Sequence, residues 1–153
     1  MRILELKIPP PAVALAAGVL MWLVSRAAPA LAFVFPAGNL LAIALAATGI
    51  IVAISGVVTF RRAGTTLNPT KPESSSSLVS WGIYRLTRNP MYLGLLLELS
   101  GWAVFLSNLL AFLFLPVFIL YINRFQIVPE EHALTSLFVD EFAAYQSRVR
   151  RWL

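Results

Sequence analysis

Residues 89–123 read NPMYLGLLLELSGWAVFLSNLLAFLFLPVFILYIN, and Glu98 is the single charged side chain in the stretch. As one helix these 35 residues would be about 52 Å long, while a hydrocarbon core of about 30 Å needs only roughly 20 residues. The run is too long for one crossing and suits a helical hairpin, with Ser107-Asn108 as its turn. Spans over Met91–Leu106 and Leu109–Asn123 follow, with Pro116 as a kink in the second because proline removes a donor and clashes with the preceding turn.

Working toward the N-terminus, two further apolar runs each suit one span. Ile8–Val24 carries Pro9, Pro10 and Pro11 where the first helical N–H groups would be unpaired anyway, and Asn39–Phe60 has no charge before Arg61. The expected fold is therefore an all-α integral membrane protein of four transmembrane helices, forming one domain over residues 1–153. Composition agrees: 59% hydrophobic and 12% charged residues, with a mean hydropathy of +0.79, against about 45–50% apolar and about 25% charged in a water-soluble domain. A chain this short cannot hide so much apolar surface inside one water-facing globule. A signal peptide is the rival for the first run, since Arg2 and Lys7 precede it and Ala28-Pro29-Ala30 resembles a cleavage site. The run exceeds a usual h-region, and we expect it to remain as a span. Within the second run Ala42, Ala46, Gly49, Ala53 and Gly56 recur at helical spacing, a strip that lets another helix approach closely.

Charge is distributed to match. Eleven of the twelve Lys and Arg residues fall on one side of the four-span arrangement, leaving Arg26 alone on the other. Basic loops stay cytosolic, so both termini and the segment 61–90 are expected there. A net charge of +5 gathered at the ends of apolar runs argues for membrane lipids as partners and against nucleic acid. There is no cysteine, which excludes thiolate catalysis and Cys-ligated zinc, and His132 has no neighbour at metal-ligand spacing, so no metal is expected. Nucleotide-binding glycine loops, the G-x-S-x-G elbow and H-E-x-x-H are all missing. A reaction here must use a group that arrives already activated.

Two polar segments can carry chemistry. Residues 61–90 read RRAGTTLNPTKPESSSSLVSWGIYRLTRNP, in which Ser74 to Ser77 is low-complexity while Leu78, Val79, Trp81, Ile83, Tyr84 and Leu86 must dock on something. Residues 124–153 read RFQIVPEEHALTSLFVDEFAAYQSRVRRWL. Here Pro129 suits the start of an amphipathic C-terminal helix, Glu130 and Glu131 its positive end, and Leu134, Leu137, Phe138, Phe142, Tyr145 and Val149 its apolar stripe. Taken alone, Glu130 and Glu131 read as helix-end dressing, and Arg148, Arg150 and Arg151 with Trp152 as an anionic-lipid anchor. Glu98 lies about 15 Å deep in a regular span, where an acid is costly and a functional candidate by default.

Taken together, LVSWGIYRLTRNPMYLG over 78–94 and PEEHALTSLFVDEFAAYQSRVRRW over 129–152 resemble the isoprenylcysteine carboxyl methyltransferase family, membrane enzymes related to the phospholipid methyltransferases. That family shows L-V-x-x-G-x-Y-x-x-x-R-H-P-x-Y-x-G, then E-E-x-x-L, then F-G-x-E-Y-x-x-Y and a basic end. The resemblance implies S-adenosylmethionine bound between the segments 78–94 and 124–153, at the cytosolic mouth of the bundle. The positions it marks for the cofactor are Leu78, Val79, Tyr84, Arg88, Asn89, Pro90, Met91, Tyr92, Gly94 and Glu130. Arg88 can hold a carboxylate, Glu130 can meet an ammonium or a ribose, and Gly94 lets a backbone come close.

The chain departs from that pattern in three places. Asn89 stands for a histidine, Val139 and Phe142 for a glycine and a tyrosine, and Gln126 for the family's substrate-binding arginine, with Arg124 two residues earlier. The implied activity is methyl transfer to a small lipophilic or lipid acceptor, in the manner of the isoprenylcysteine enzymes. Phospholipid amine N-methylation and a non-catalytic binding subunit are the alternatives. Glu98 and Arg124 are the candidates for catalysis, and Glu98, Arg124 and Gln126 for the acceptor: Glu98 would steady an amine, Arg124 a carboxylate.

Overall fold

The computed structural model describes residues 5–64 and 77–153. Lys71 and Ser74–Ser76 lie outside the described residues. Prolines open α1, Pro10–Ala27, with Pro10 and Pro11 in its first turn. After a 3-10 turn at Pro29–Leu31, α2 runs over Gly38–Arg62. A loop with a second 3-10 turn, Gly82–Arg85, leads to α3, Pro90–Leu106.

The hairpin turn falls at Ser107-Asn108. Ser107 takes a left-handed backbone conformation (φ 47°), and the Asn108 side chain accepts from Leu110 N at 3.0 Å, capping the next helix. The same turn is pinned to the α1–α2 connection: Asn108 Nδ2 donates to the Ala28 carbonyl at 2.8 Å, and Phe33 N to the Ser107 carbonyl at 2.9 Å. Both hairpins are thus fastened at one end of the bundle, opposite the candidate site.

Beyond the turn come α4, Leu109–Phe112, and α5, Phe114–Ile122. They are separated at Leu113, three residues before Pro116, where the proline's missing donor and the clash with its preceding turn are absorbed. The fourth apolar run then departs from expectation. The rod does not stop at Asn123: a π-helical turn, Asn123–Ile127, passes it directly into α6, Val128–Leu137. Pro129 therefore does not start a free helix. It has no N–H for the Phe125 carbonyl, and that oxygen accepts instead from Leu6 N at 3.0 Å. Without a free helix end, the dipole rationale for Glu130 and Glu131 falls away.

Three helices are long and apolar enough to cross a membrane: Pro10–Ala27, Gly38–Arg62 and the rod Leu109–Leu137, while α3 has 17 residues. The rod, at 29 residues or about 43 Å, exceeds a hydrocarbon core, and its apolar course ends at Ile122. Gln126, Glu130 and Glu131 lie on the part of the rod that follows this apolar course.

The single amphipathic tail helix is also corrected. The chain breaks at Phe138, and α7, Val139–Arg148, folds back as a separate helix with Asp140 and Glu141 in its first turn. The stripe divides accordingly. Phe138, Phe142, Tyr145 and Val149 pack with Val79 and Tyr84, while Leu137 stays exposed.

The small-residue strip of α2 meets α3. A Cβ built at Gly49 would lie 2.6 Å from the Gly94 carbonyl oxygen, one at Gly94 2.7 Å from Ala53 Cβ, and one at Gly101 2.7 Å from the Ala42 carbonyl oxygen. No side chain fits at any of the three, so the backbones touch along the seam. On another face of α3, Trp102 Nε1 donates to the Gly18 carbonyl at 3.0 Å and ties α1 to it.

Candidate functional site

The loop after α2 is shaped by Gly82, whose φ of +63° suits glycine and where a Cβ would lie 3.1 Å from Thr59 Oγ1. The 3-10 turn that follows buries Tyr84 edge-on against Phe60, at 5.1 Å between ring centroids. Tyr145 of α7 donates its hydroxyl to the Tyr84 carbonyl at 2.7 Å. Burial pushes both phenols above their ordinary range, so they act as neutral hydroxyls. The Tyr84 hydroxyl is buried with no partner among the described residues.

From this turn the chain enters α3 through Thr87-Arg88-Asn89. Asn89 does not cap α3 with its side chain; its Nδ2 donates instead to the Arg151 carbonyl at 2.9 Å. Thr87 Oγ1 donates to the same oxygen at 3.3 Å, and Arg88 N to the Arg150 carbonyl at 3.0 Å. Arg88, whose side chain is 12% exposed, places Nη2 3.0 Å from Glu131 Oε1. Arg151 takes both oxygens of Glu131, Nε at 3.2 Å and Nη2 at 2.6 Å. Trp152 Nε1 donates to Asn123 Oδ1 at 3.1 Å.

Beside this ion cluster Tyr92 donates its hydroxyl to Glu130 Oε1. Among the described residues no cation pairs with Glu130. Burial pushes its carboxyl up to about 8, against the lowering effect of the Tyr92 bond and with a smaller push from the Glu131 charge. The adjacent acids thus hold different positions: Glu131 is the hub between two arginines, and Glu130 is a partly buried acid with no cation partner among the described residues. Two polar groups here lack partners among the described residues, Arg88 Nε and the Tyr84 hydroxyl, and both are inside.

The residues marked from the sequence divide into groups. Arg88, Asn89, Tyr92 and Glu130 come together in the polar cluster. Leu78, Val79 and Tyr84 lie beside it in the apolar contact with α7. Pro90, Met91 and Gly94 face α2: a Cβ at Gly56 would meet Met91 and Pro90 at 3.1 Å, and the backbone that Gly94 admits is that of Gly49. Glu98 lies apart from the cluster, in a groove of about 660 Å³ between α1 and α3, with Leu15, Val19, Trp22 and Trp102 as apolar walls.

Arg124 pairs with Glu5 at 2.9 Å on the exterior, where its side chain is 48% exposed. Gln126 is fully buried and donates Nε2 to the Ile8 carbonyl at 2.7 Å, holding the start of α1. Three residues of the cluster were read differently from the sequence. Glu131 is an ion-pair hub, not helix-end dressing, and Arg151 and Trp152 bind inward in place of a lipid anchor. The pairs span 20 to 64 residues of chain; the only hint in the sequence is an acid pair and an arginine cluster of opposite sign within the polar tail 124–153. No three His, Asp or Glu residues gather as metal ligands among the described residues.

The sequence pattern of the phospholipid methyltransferases matches residues 37–141, more than half of the chain. An uncharacterized protein of Haemophilus influenzae is 54% identical over 63 residues, which cover 41% of this chain and all of that protein. No solved structure matches.

Proposed function

Because the chain belongs to the phospholipid methyltransferase family, we propose that the polar cluster at the α3 start binds S-adenosylmethionine and serves methyl transfer to a lipid or small lipophilic acceptor at the cytosolic face. The observation that carries this reading is the charge pattern of the cluster. The Nε of Arg88 is buried with no partner among the described residues, and Glu130 in the same cluster has no cation partner among them. That pattern fits a zwitterionic amino-acid end joined to a sulfonium: the carboxylate toward Arg88, positive charge toward Glu130. The cofactor, when bound, supplies a methyl group already activated on sulfur. Tyr92 would hold Glu130 in one rotamer through their hydrogen bond, and the apolar contact of Val79, Phe142 and Tyr145 would keep water from one side. What the chain must add is alignment of the acceptor atom and exclusion of water.

The acceptor is better read as an amine or a neutral group than as a carboxylate. Arg124, the cation that could hold a carboxylate, is engaged by Glu5 on the exterior, and Gln126 is engaged by Ile8. Glu98 in the groove between α1 and α3 offers the opposite charge, facing apolar walls suited to a lipid chain. The test is transfer of labelled methyl from S-adenosylmethionine to extracted lipids, separated by head group, and to small prenylated acids. Label in an amine-bearing lipid fraction supports the reading; label only in a carboxylic acid overturns the acceptor assignment, and no label anywhere supports a non-catalytic binding subunit.

A further inference from the structure

Resting on that cofactor reading, we infer that Arg151 is a positioning residue: through Glu131 it fixes Arg88 so that the free Nε edge of Arg88 faces the carboxylate of the methyl donor. Arg151 lies beyond residues 37–141, where the family pattern matches, so nothing in that pattern assigns it a role.

Charge supports this first. Two guanidiniums share the one carboxylate of Glu131, so the trio retains one positive charge, next to a buried donor on Arg88 that has no partner among the described residues. Such a trio is completed by an anionic oxygen group. Geometry supports it second. An arginine side chain has rotamer entropy to lose, and a single contact at Nη2 would leave Arg88 free to swing. Arg151 engages both oxygens of Glu131 and so fixes the plane of the carboxylate that Arg88 meets.

Arg151 is itself held. Its carbonyl accepts from Asn89 and Thr87, the residues flanking Arg88, and the neighbouring indole of Trp152 is bonded to Asn123 and packed on the core around Tyr92 and Ile122. The segment 150–152 therefore joins the first motif, the π turn and α6 at one point. It sets where Arg88 points without touching the ligand.

The test uses the full chain in detergent as wild type, Arg151→Gln and Arg151→Lys, with two probes: S-adenosylhomocysteine and its decarboxylated counterpart. Arg151→Gln is expected to weaken S-adenosylhomocysteine about tenfold while leaving the decarboxylated probe unchanged, and Arg151→Lys to lie between, since it keeps the charge and loses the fork. Thermal unfolding of each variant shows whether it is folded, and Arg151→Lys carries the test should Arg151→Gln not fold. Equal weakening of both probes would make Arg151 a structural fastener and overturn the inference, as would no weakening of either. Failure of the wild type to bind either probe would overturn the cofactor reading, and the inference with it. A loss seen only in affinity for anionic lipid vesicles would assign the Arg88 edge to a lipid phosphate and equally overturn it.

Discussion

The seam between α2 and α3 and the cluster at the start of α3 share one helix and are built on opposite principles. In the seam, Gly49, Gly94 and Gly101 bring backbones into contact by having no side chains, and the stem of Glu98 lies against Gly49. In the cluster, long side chains from Thr87-Arg88-Asn89, Glu130-Glu131 and Arg151 reach one another across up to 64 residues of sequence. The difference teaches where rigidity and chemistry are divided. The seam holds α3 by close backbone packing, which leaves the polar face at its N-terminal end available for a ligand.

Gly49→Leu is the strongest way to break the comparison. A side chain there collides with the Gly94 carbonyl and the Glu98 side chain, and α3 cannot retreat without dismantling the bundle. A cost of roughly 3 kcal/mol or more is expected, read as loss of folded, monodisperse protein in detergent and a collapse of the thermal transition. Tyr92→Phe is expected to cost less, about 1–3 kcal/mol, because it removes a hydrogen bond to the partly buried Glu130 and leaves the seam intact. Chemical denaturation measures it, and a larger loss than in Gly49→Leu would invert the proposed division. Arg124→Ala, at an exposed pair with Glu5, should shift stability by less than about 1 kcal/mol and leave methyl-donor affinity unchanged. A large fall in that affinity would bring Arg124 into the site.

Reading from the sequence succeeded where the determinant is local. The apolar runs, the Ser107-Asn108 turn, the disturbance at Pro116 and the small strip each rest on neighbours within a few turns of helix, and the helices follow them. Pro129 misled because its missing donor signals a helix start, whereas a π turn carries the rod past it and Leu6 takes the stranded carbonyl. The break at Phe138 has no proline or glycine to announce it. Arg88, Asn89, Tyr92 and Glu130 came from motif resemblance. Glu131 and Arg151 did not, since a surface carboxylate and an ion-pair hub look alike until the fold brings a second arginine to it.

The central claim is that Glu130, a partly buried acid with no cation partner among the described residues, meets the positive charge of the methyl donor. Burial pushes its carboxyl up to about 8 from the ordinary 4.5, so between those values rising pH favours unfolding, and a bound cation must displace the proton. The direct measurement is S-adenosylmethionine affinity in detergent from pH 6 to 8, for wild type and Glu130→Gln. The account predicts that wild-type affinity climbs with pH, by at most about tenfold per unit, and that Glu130→Gln binds more weakly at pH 8 with a flat profile. Equal affinity and equal pH dependence in the two proteins would contradict it.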